Sequence, residues 1–343
     1  MTDERKMILD MLSQGKITAE EAQNLLDALP QEQEDTKSTR GESQAKIRGE
    51  SQSIMGGIVD SIRTGLAGID FSDFSFEISD SSRITLEETH SGEFDSKQVE
   101  LDLQARNGSI RVESWDQPGY KLDIIKRVKA STREQAEELA SQYSYATLGG
   151  DKLHAGDQDS RKNGKRIYVS LRLRLPTGHT YTGLVKTMNG GIGISGLDLG
   201  ELELGSMNGS VKVGDVRGNE ITAKTVNGSL RMEGSLDSVS GITTNGSVSL
   251  ANFAEDSENH LETVNGRIVV KVPVRSDIAI SVLANTTSGS IKVYHSNLDE
   301  LDEKRKVASR KLEGRSSNWS RAAHQVELSL KSVNGSIKVE DLE

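Results

Sequence analysis

The chain has 343 residues, a formal net charge of −10, 4% aromatic residues, 33 glycines and no cysteine. Without cysteine it forms no disulfide, zinc–sulfur site or thiolate nucleophile, and an acidic chain with few rings for base stacking is a poor match for nucleic acid. No run approaches the roughly 18 apolar residues of a spanning helix and the N-terminus lacks a secretory signal's apolar stretch, so the expected location is cytoplasmic, at most peripheral to a membrane.

Residues 3–29 are predicted to form two short helices. Met7, Ile8, Met11 and Leu12 make one apolar stripe, and Gly15 is placed to cap its C-terminal end. Thr18 with Glu21 makes a capping box for the second helix, whose stripe is Ala22, Leu25, Leu26 and Leu29. Pro30 ends it. A hairpin over 1–30 is too short to hold its own core. It is expected to dock through Ile8, Met11, Leu12, Leu25, Leu26 and Leu29 on a second copy, a protein partner or the body of the chain. Residues 31–53 are polar and predict a disordered linker. Ile54, Ile58, Ile62 and Leu66 then recur every fourth residue, a helical stripe. Segment 54–76, with Phe71, Phe74 and Phe76, is predicted to cap an open sheet end or to bind a partner; peripheral membrane contact through 54–69 is the other reading.

From residue 77 the pattern is that of strands. Val99, Leu101 and Leu103 alternate with polar residues, and Ile110 and Val112 follow Asn107-Gly108. Leu122, Ile124 and Val128 mark another strand. Ser131 and Glu134 form a capping box for a helical insert near 131–143. Ile167, Val169, Leu171, Leu173 and Leu175 alternate with Arg172 and Arg174 before the turn Pro176-Thr177-Gly178.

A repeat follows. Asn189-Gly190, Asn208-Gly209, Asn227-Gly228, Asn245-Gly246 and Asn265-Gly266 are spaced by 19, 19, 18 and 20 residues. Ser288-Gly289 continues the series after 23 residues and Asn334-Gly335 after a further 46, while Asn107-Gly108 stands apart as an outlier. Such corners suit positive φ, which glycine and asparagine tolerate. Each precedes an alternating stretch such as Gly-Ser-Val-Lys-Val from Gly209. The inward parity switches across each corner, from that of Thr225 to that of Leu230, so Asn-Gly is a turn between two strands. Hairpins satisfy this, and so do stacked coils. The near-constant step and near-identical turn residues favour coils. The predicted fold is mainly β: a right-handed parallel β-solenoid over 77–343, with inserts near 131–143 and 295–325, behind the small helical hairpin. The second insert, with Lys304, Arg305, Lys306, Arg310 and Lys311, suggests a solvated loop or helix or a docking element for an acidic partner.

No catalytic residues, metal ligands or cofactor site are predicted. The six histidines (His90, His154, His179, His260, His295 and His324) show no ligand spacing and suggest surface or loop positions. Asp198, Asp215, Asp237 and Asp256 fall out of register in presumed loops, a weak basis for a polysaccharide-cleaving site. Lys212, Arg231, Lys292 and Lys338 share one outward slot, interrupted by Ser249 and Val269, and Glu203 and Glu262 occupy the slot before the corner. Cross-rung charge pairing accounts for such a column; a stripe for an anionic polymer or lipid surface is the sharper reading.

Residues Ile8 to Ala22, running to Leu29, resemble the SHOCT-like short helical domain of bacteria, with its Gly15-Lys16-Ile17-Thr18 turn and Glu20-Glu21 helix. The Asn-Gly-Ser repeats resemble the bacterial β-strand-repeat family labelled "putative adhesin". In this order the two parts are similar to the YvlB/LiaX type of envelope-stress protein. The resemblance covers residues 3–30 and about 80–343. It implies a non-enzymatic scaffold or regulatory binding protein of the bacterial envelope-stress response, which in some relatives modulates a membrane sensor or binds membrane-active peptides. The alternatives are a surface adhesin or glycan-binding module and, more weakly, a polysaccharide-acting β-helix enzyme.

Overall fold

The computed structural model describes residues 83–141, 144–157, 167–298, 300–306 and 309–342. The predicted hairpin 1–30, linker 31–53 and cap 54–76 lie outside the described residues. The chain opens with β1 (Arg83–Gly92), β2 (Gln98–Asn107), β3 (Ile110–Trp115), β4 (Tyr120–Lys129), the helix α1 (Arg133–Ala140), β5 (Ser144–Gly149), β6 (Lys152–Asp157) and β7 (Ile167–Pro176). The regular part holds β8 (Thr180–Asn189), β9 (Ile192–Ser195), β10 (Asp198–Ser206), β11 (Val211–Thr225), β12 (Leu230–Asn245), β13 (Val248–Asn252), β14 (Ser257–Asn265) and β15 (Ile268–Pro273). It closes with β16 (Ile278–Ser288), β17 (Ile291–Tyr294), β18 (Glu300–Lys306), β19 (Ser309–Arg315), β20 (His324–Asn334) and β21 (Ile337–Leu342).

These strands form one sheet folded at the Asn-Gly corners into two walls. The first wall holds the strands that lead into a corner. Its parallel order is β6, β2, β8, β10, the second halves of β11 and β12, then β14, β20 and β16. The second wall holds the strands that leave a corner. Its parallel order is β7, β3, β9, the first halves of β11 and β12, then β13, β15, β21 and β17. Thr225 pairs with Thr243, and Leu230 with Val211 and Val248, so the strands flanking a corner pair with neighbouring rungs and not with each other as in a hairpin.

Inward rows from the two walls make a thin core. One row of the first wall runs Leu103, Val185, Leu204, Ala223, Gly241, Leu261, Leu330, Ala284. One row of the second runs Val112, Ile194, Val213, Met232, Leu250, Val270, Val339. Each fully buried aliphatic side chain contributes about 1.5–3 kcal/mol. The rows interlock by size: a Cβ on Gly241 would lie 2.8 Å from Met232 Cε, so the long side chain fills what the glycine leaves.

Four features differ from the sequence reading. The Asn107-Gly108 corner is no outlier, because β2 and β3 form the rung next to β8 and β9. The 72 residues from Ile110 to Tyr181 that hide this carry the antiparallel strands β4 and β5 and the helix. The last rungs are also out of chain order: β20 and β21 insert between β14–β15 and β16–β17. Much of the charged insert is a hairpin, where a loop or helix was expected. β19 pairs antiparallel with β16, and β18 pairs antiparallel with β19 at the edge of the first wall. The cap of α1 is Thr132, whose Oγ1 accepts from the Gln135 N–H at 3.3 Å, not Ser131.

Candidate binding faces and corners

The Asn-Gly corners are tied to their neighbours by two kinds of hydrogen bond. The asparagine amides form a chain in which Nδ2 donates to the Oδ1 of the preceding rung. The links are Asn189 to Asn107 (2.7 Å), Asn208 to Asn189 (2.9 Å), Asn227 to Asn208 (2.8 Å), Asn245 to Asn227 (2.9 Å), Asn265 to Asn245 (2.8 Å) and Asn334 to Asn265 (3.0 Å). All point the same way, so each polarises the next. Inside the turn, hydroxyls donate to the glycine carbonyl of the preceding rung: Thr187 to Gly108 (2.8 Å), Thr225 to Gly209 (2.9 Å), Thr243 to Gly228 (2.8 Å) and Thr263 to Gly246 (2.9 Å). Burying a hydroxyl there is affordable only because this bond satisfies it.

The glycines are required for a reason other than the expected one. Gly190, Gly209, Gly228, Gly246, Gly266 and Gly335 do not have positive φ, and the one non-glycine with positive φ among the described residues is Asp215 at 52°. A Cβ on Gly209 would lie 1.9 Å from the Gly190 carbonyl oxygen, and one on Gly228 would lie 2.1 Å from that of Gly209. Stacked backbones leave no room for a side chain.

The outer face of the second wall carries a basic row. In register order it runs Arg172, Arg111, Gly193, Lys212, Arg231, Ser249, Val269, Lys338, Lys292. Sequence spacing found the later members; the first two became neighbours only through the β3–β7 and β3–β9 pairings. Arg172, Arg111, Lys212 and Arg231 are exposed and make no ion pair among the described residues. Beside them runs a serine row: Ser109, Gly191, Ser210, Ser229, Ser247. The Ser210 and Ser229 hydroxyls each accept the backbone N–H of the next serine at 3.3 Å.

The outer face of the first wall is acidic at its edge. Glu201 pairs with Glu220, and Glu258 with Glu327, in adjacent strands. Nearer the corner its charges are paired: Lys331 donates to Glu262 at 2.8 Å, and Lys186 lies 3.6 Å from Glu203. Glu203 and Glu262 are not one slot, since Glu203 aligns through Thr222 and Ser240 with His260. Glu262 is nearly buried; burial alone would raise its pKa, but His260 and Lys331 together hold it below the usual carboxylate value. Between this wall and the β18–β19 hairpin lies a groove of about 1050 Å³, where exposed Leu283 and Leu301 meet Glu258, Glu327 and Asp302.

The candidate carboxylates of a sugar-cleaving site do not converge. Asp198, Asp215 and Asp237 lie in strands rather than loops, and Asp198 binds Arg217 at 2.7 Å. Asp256 is in the turn before β14 and accepts from Gln325 N–H at 2.7 Å. Among the described residues no group of three potential ligands gathers to hold a metal. His295 lies in the loop after β17 but not at the surface. It is buried, Nδ1 accepts from the Asn297 N–H (3.2 Å), Nε2 donates to the Val272 carbonyl (3.3 Å), and burial lowers its pKa. Asp157, at the end of β6, is pushed up to about 6 by burial, although the Arg106 N–H donates to both its oxygens at 3.0 Å. No helix among the described residues is long and apolar enough to cross a membrane.

No curated protein matches the chain. A Bacteroides fragilis structure described as a "putative adhesin" is 15% identical, covering 76% of this chain and 97% of its own, with a TM-score of 0.42. A Clostridium sporogenes "putative cell adhesion protein" is 10% identical over 76% of this chain and 100% of its own, TM-score 0.36. A Parabacteroides distasonis "putative lipid binding protein" is 12% identical over 75% and 97%, TM-score 0.32. Residues 3–34 match a SHOCT-like domain. Residues 162–340, just over half the chain, match the Toastrack family, and the two-walled stack with its Asn-Gly corners fills that span. The chain is a member of the Toastrack DUF4097 family.

Proposed function

We propose that this chain is a non-enzymatic binding protein: its solenoid supplies a long rigid face, and its SHOCT-like segment is a docking handle for a protein partner or a second copy. The observation that carries the reading is the pair of charged outer faces, held in register by the corners. On them, like charges stand on adjacent strands without counter-ions (Lys212 beside Arg231, Glu201 beside Glu220). Like charges directly opposite one another cost stability, so a surface that keeps them is suited to an external partner. This favours the adhesin or glycan-binding reading. The coil is right-handed in this reading, since connections between parallel strands of one sheet are right-handed almost without exception.

A second reading, a regulatory scaffold of the envelope-stress response, is supported by the order of parts, a SHOCT-like segment ahead of the Toastrack segment. It places the protein in the cytoplasm, with peripheral membrane contact through 54–69. Two measurements test the proposal. The full chain is screened for saturable binding to a panel of neutral and charged polysaccharides; no binding to any of them sinks the adhesin reading. Deletion of residues 1–30 is followed by mass in solution and partner capture; an unchanged oligomeric state and undiminished capture remove the docking role.

A further inference from the structure

We propose that the row Arg172–Arg111–Gly193–Lys212–Arg231, with the serine row beside it, binds a linear polysaccharide carrying one carboxylate per sugar. The inference rests on the binding-protein reading and names its surface and ligand class.

Three observations support it. The four cations lie on a face whose strands are fixed in register. Strands lie about 4.8 Å apart, so Arg172 to Arg231 spans about 19 Å in four steps. A flexible patch of surface lysines has no such period, whereas pyranose rings in an extended chain recur at a comparable spacing. Second, the row runs against the charge of the whole molecule. The protein carries −10, yet these four exposed cations have no ion pair among the described residues, while Lys126, Lys152, Arg217 and Lys331 elsewhere on the sheet each have one. Arg172 beside Arg111, and Lys212 beside Arg231, repel each other; an anion lying along the row relieves both. Third, the chemistry beside the row is that of a sugar site. The Ser210 and Ser229 oxygens accept from the backbone, which leaves their hydroxyl hydrogens for an outside acceptor. At Gly193 a Cβ would meet nothing within 4 Å, so the middle rung is open where a ring can sit against the sheet. Neither row carries an aromatic residue for base stacking, and from Arg172 to Arg231 neither carries an apolar side chain for a lipid surface.

The test titrates the full chain with oligogalacturonate and with the same oligomer fully methyl-esterified. Binding of the acid form, weakening as salt is added, and failure of the ester are expected. Lys212→Glu/Arg231→Glu is expected to weaken binding at least about tenfold. Lys97→Glu/Arg321→Glu, with the same charge change at exposed positions off the row, is expected to stay within about twofold. Unchanged far-ultraviolet circular dichroism shows that the variants fold. Equal loss in both variants, equal binding of the ester, or tighter binding to polyadenylate or phosphatidylglycerol vesicles overturns the assignment. Saturable binding of another polysaccharide that ignores the row variant overturns it too, but leaves the broader reading standing; no binding to any glycan removes both.

Discussion

Asn334 donates a 3.0 Å hydrogen bond to Asn265, although 69 residues separate the two. The next rung in space ends at Ser288, which lies between them in sequence and pairs with Asn334. The final segment of the chain is therefore an internal layer of the stack.

Deleting residues 324–342 should consequently loosen a region that is not at the new terminus. β16 loses its parallel neighbour β20 and β17 loses β21. Hydrogen exchange should accelerate across 278–294 and along β14, whose outer edge becomes bare. Protection that falls only next to the cut would contradict the inserted order.

Gly228→Ala should destabilise by about 3 kcal/mol, because its Cβ would sit 2.1 Å from the Gly209 carbonyl oxygen and backbone cannot yield cheaply. Gly214→Ala, where a Cβ meets nothing within 4 Å, should change stability by less than about 0.5 kcal/mol. Urea unfolding of the two variants compares them. Similar losses would place the glycine requirement in chain flexibility instead of close approach.

Asn227 donates to Asn208 and accepts from Asn245, so Asn227→Ala removes two amide bonds and should cost about 1–2 kcal/mol. Asn208 shares one of those bonds. The double replacement Asn208→Ala/Asn227→Ala should cost less than the sum of the singles. Strict additivity in thermal or urea melts would mean the amide chain does not couple the rungs.

Asp157 makes stability fall as pH rises from about 4 to about 6. Its carboxyl titrates near 3.9 when unfolded but at about 6 in the fold. Within that window the folded state holds more protons than the unfolded one, and the linkage slope is negative. Asp157→Asn should flatten the profile there, a difference on the order of 2 kcal/mol across the window. An identical pH profile for the two proteins would show that the carboxyl titrates normally.

The corners were legible because they repeat one chemical solution at nearly constant spacing, and stacking demands the same residue at each level. Their reason was not legible. Asparagine and glycine suggest positive φ locally, while the actual constraint, a neighbouring carbonyl about 2 Å from an absent Cβ, exists only between rungs. Asn107 was set apart because β4, α1, β5, β6 and β7 intervene before its spatial neighbour Asn189. Lys212 and Arg231 could be aligned by counting from their corners. Arg111 has the same offset from Asn107 but joins the row only once β3 is known to pair with β9, and Arg172 only once β7 is known to pair with β3. The charged insert misled for a related reason: its composition is that of a solvated loop, yet it is paired as strands because it has a sheet edge to join.

That edge has a consequence for solubility. Parallel strands in register, with amides stacked along the axis, are also how cross-β fibrils grow. β19 joins β16 antiparallel and β18 pairs antiparallel with β19, so a reversed strand interrupts the parallel rungs before the first wall ends on β18, whose sequence holds three acidic and three basic residues. An incoming copy would meet a short strand crowded with charges of both signs, a poor template for pairing. The antiparallel β19 and the charged β18 beyond it thus suit this edge to ending a self-templating architecture within one molecule.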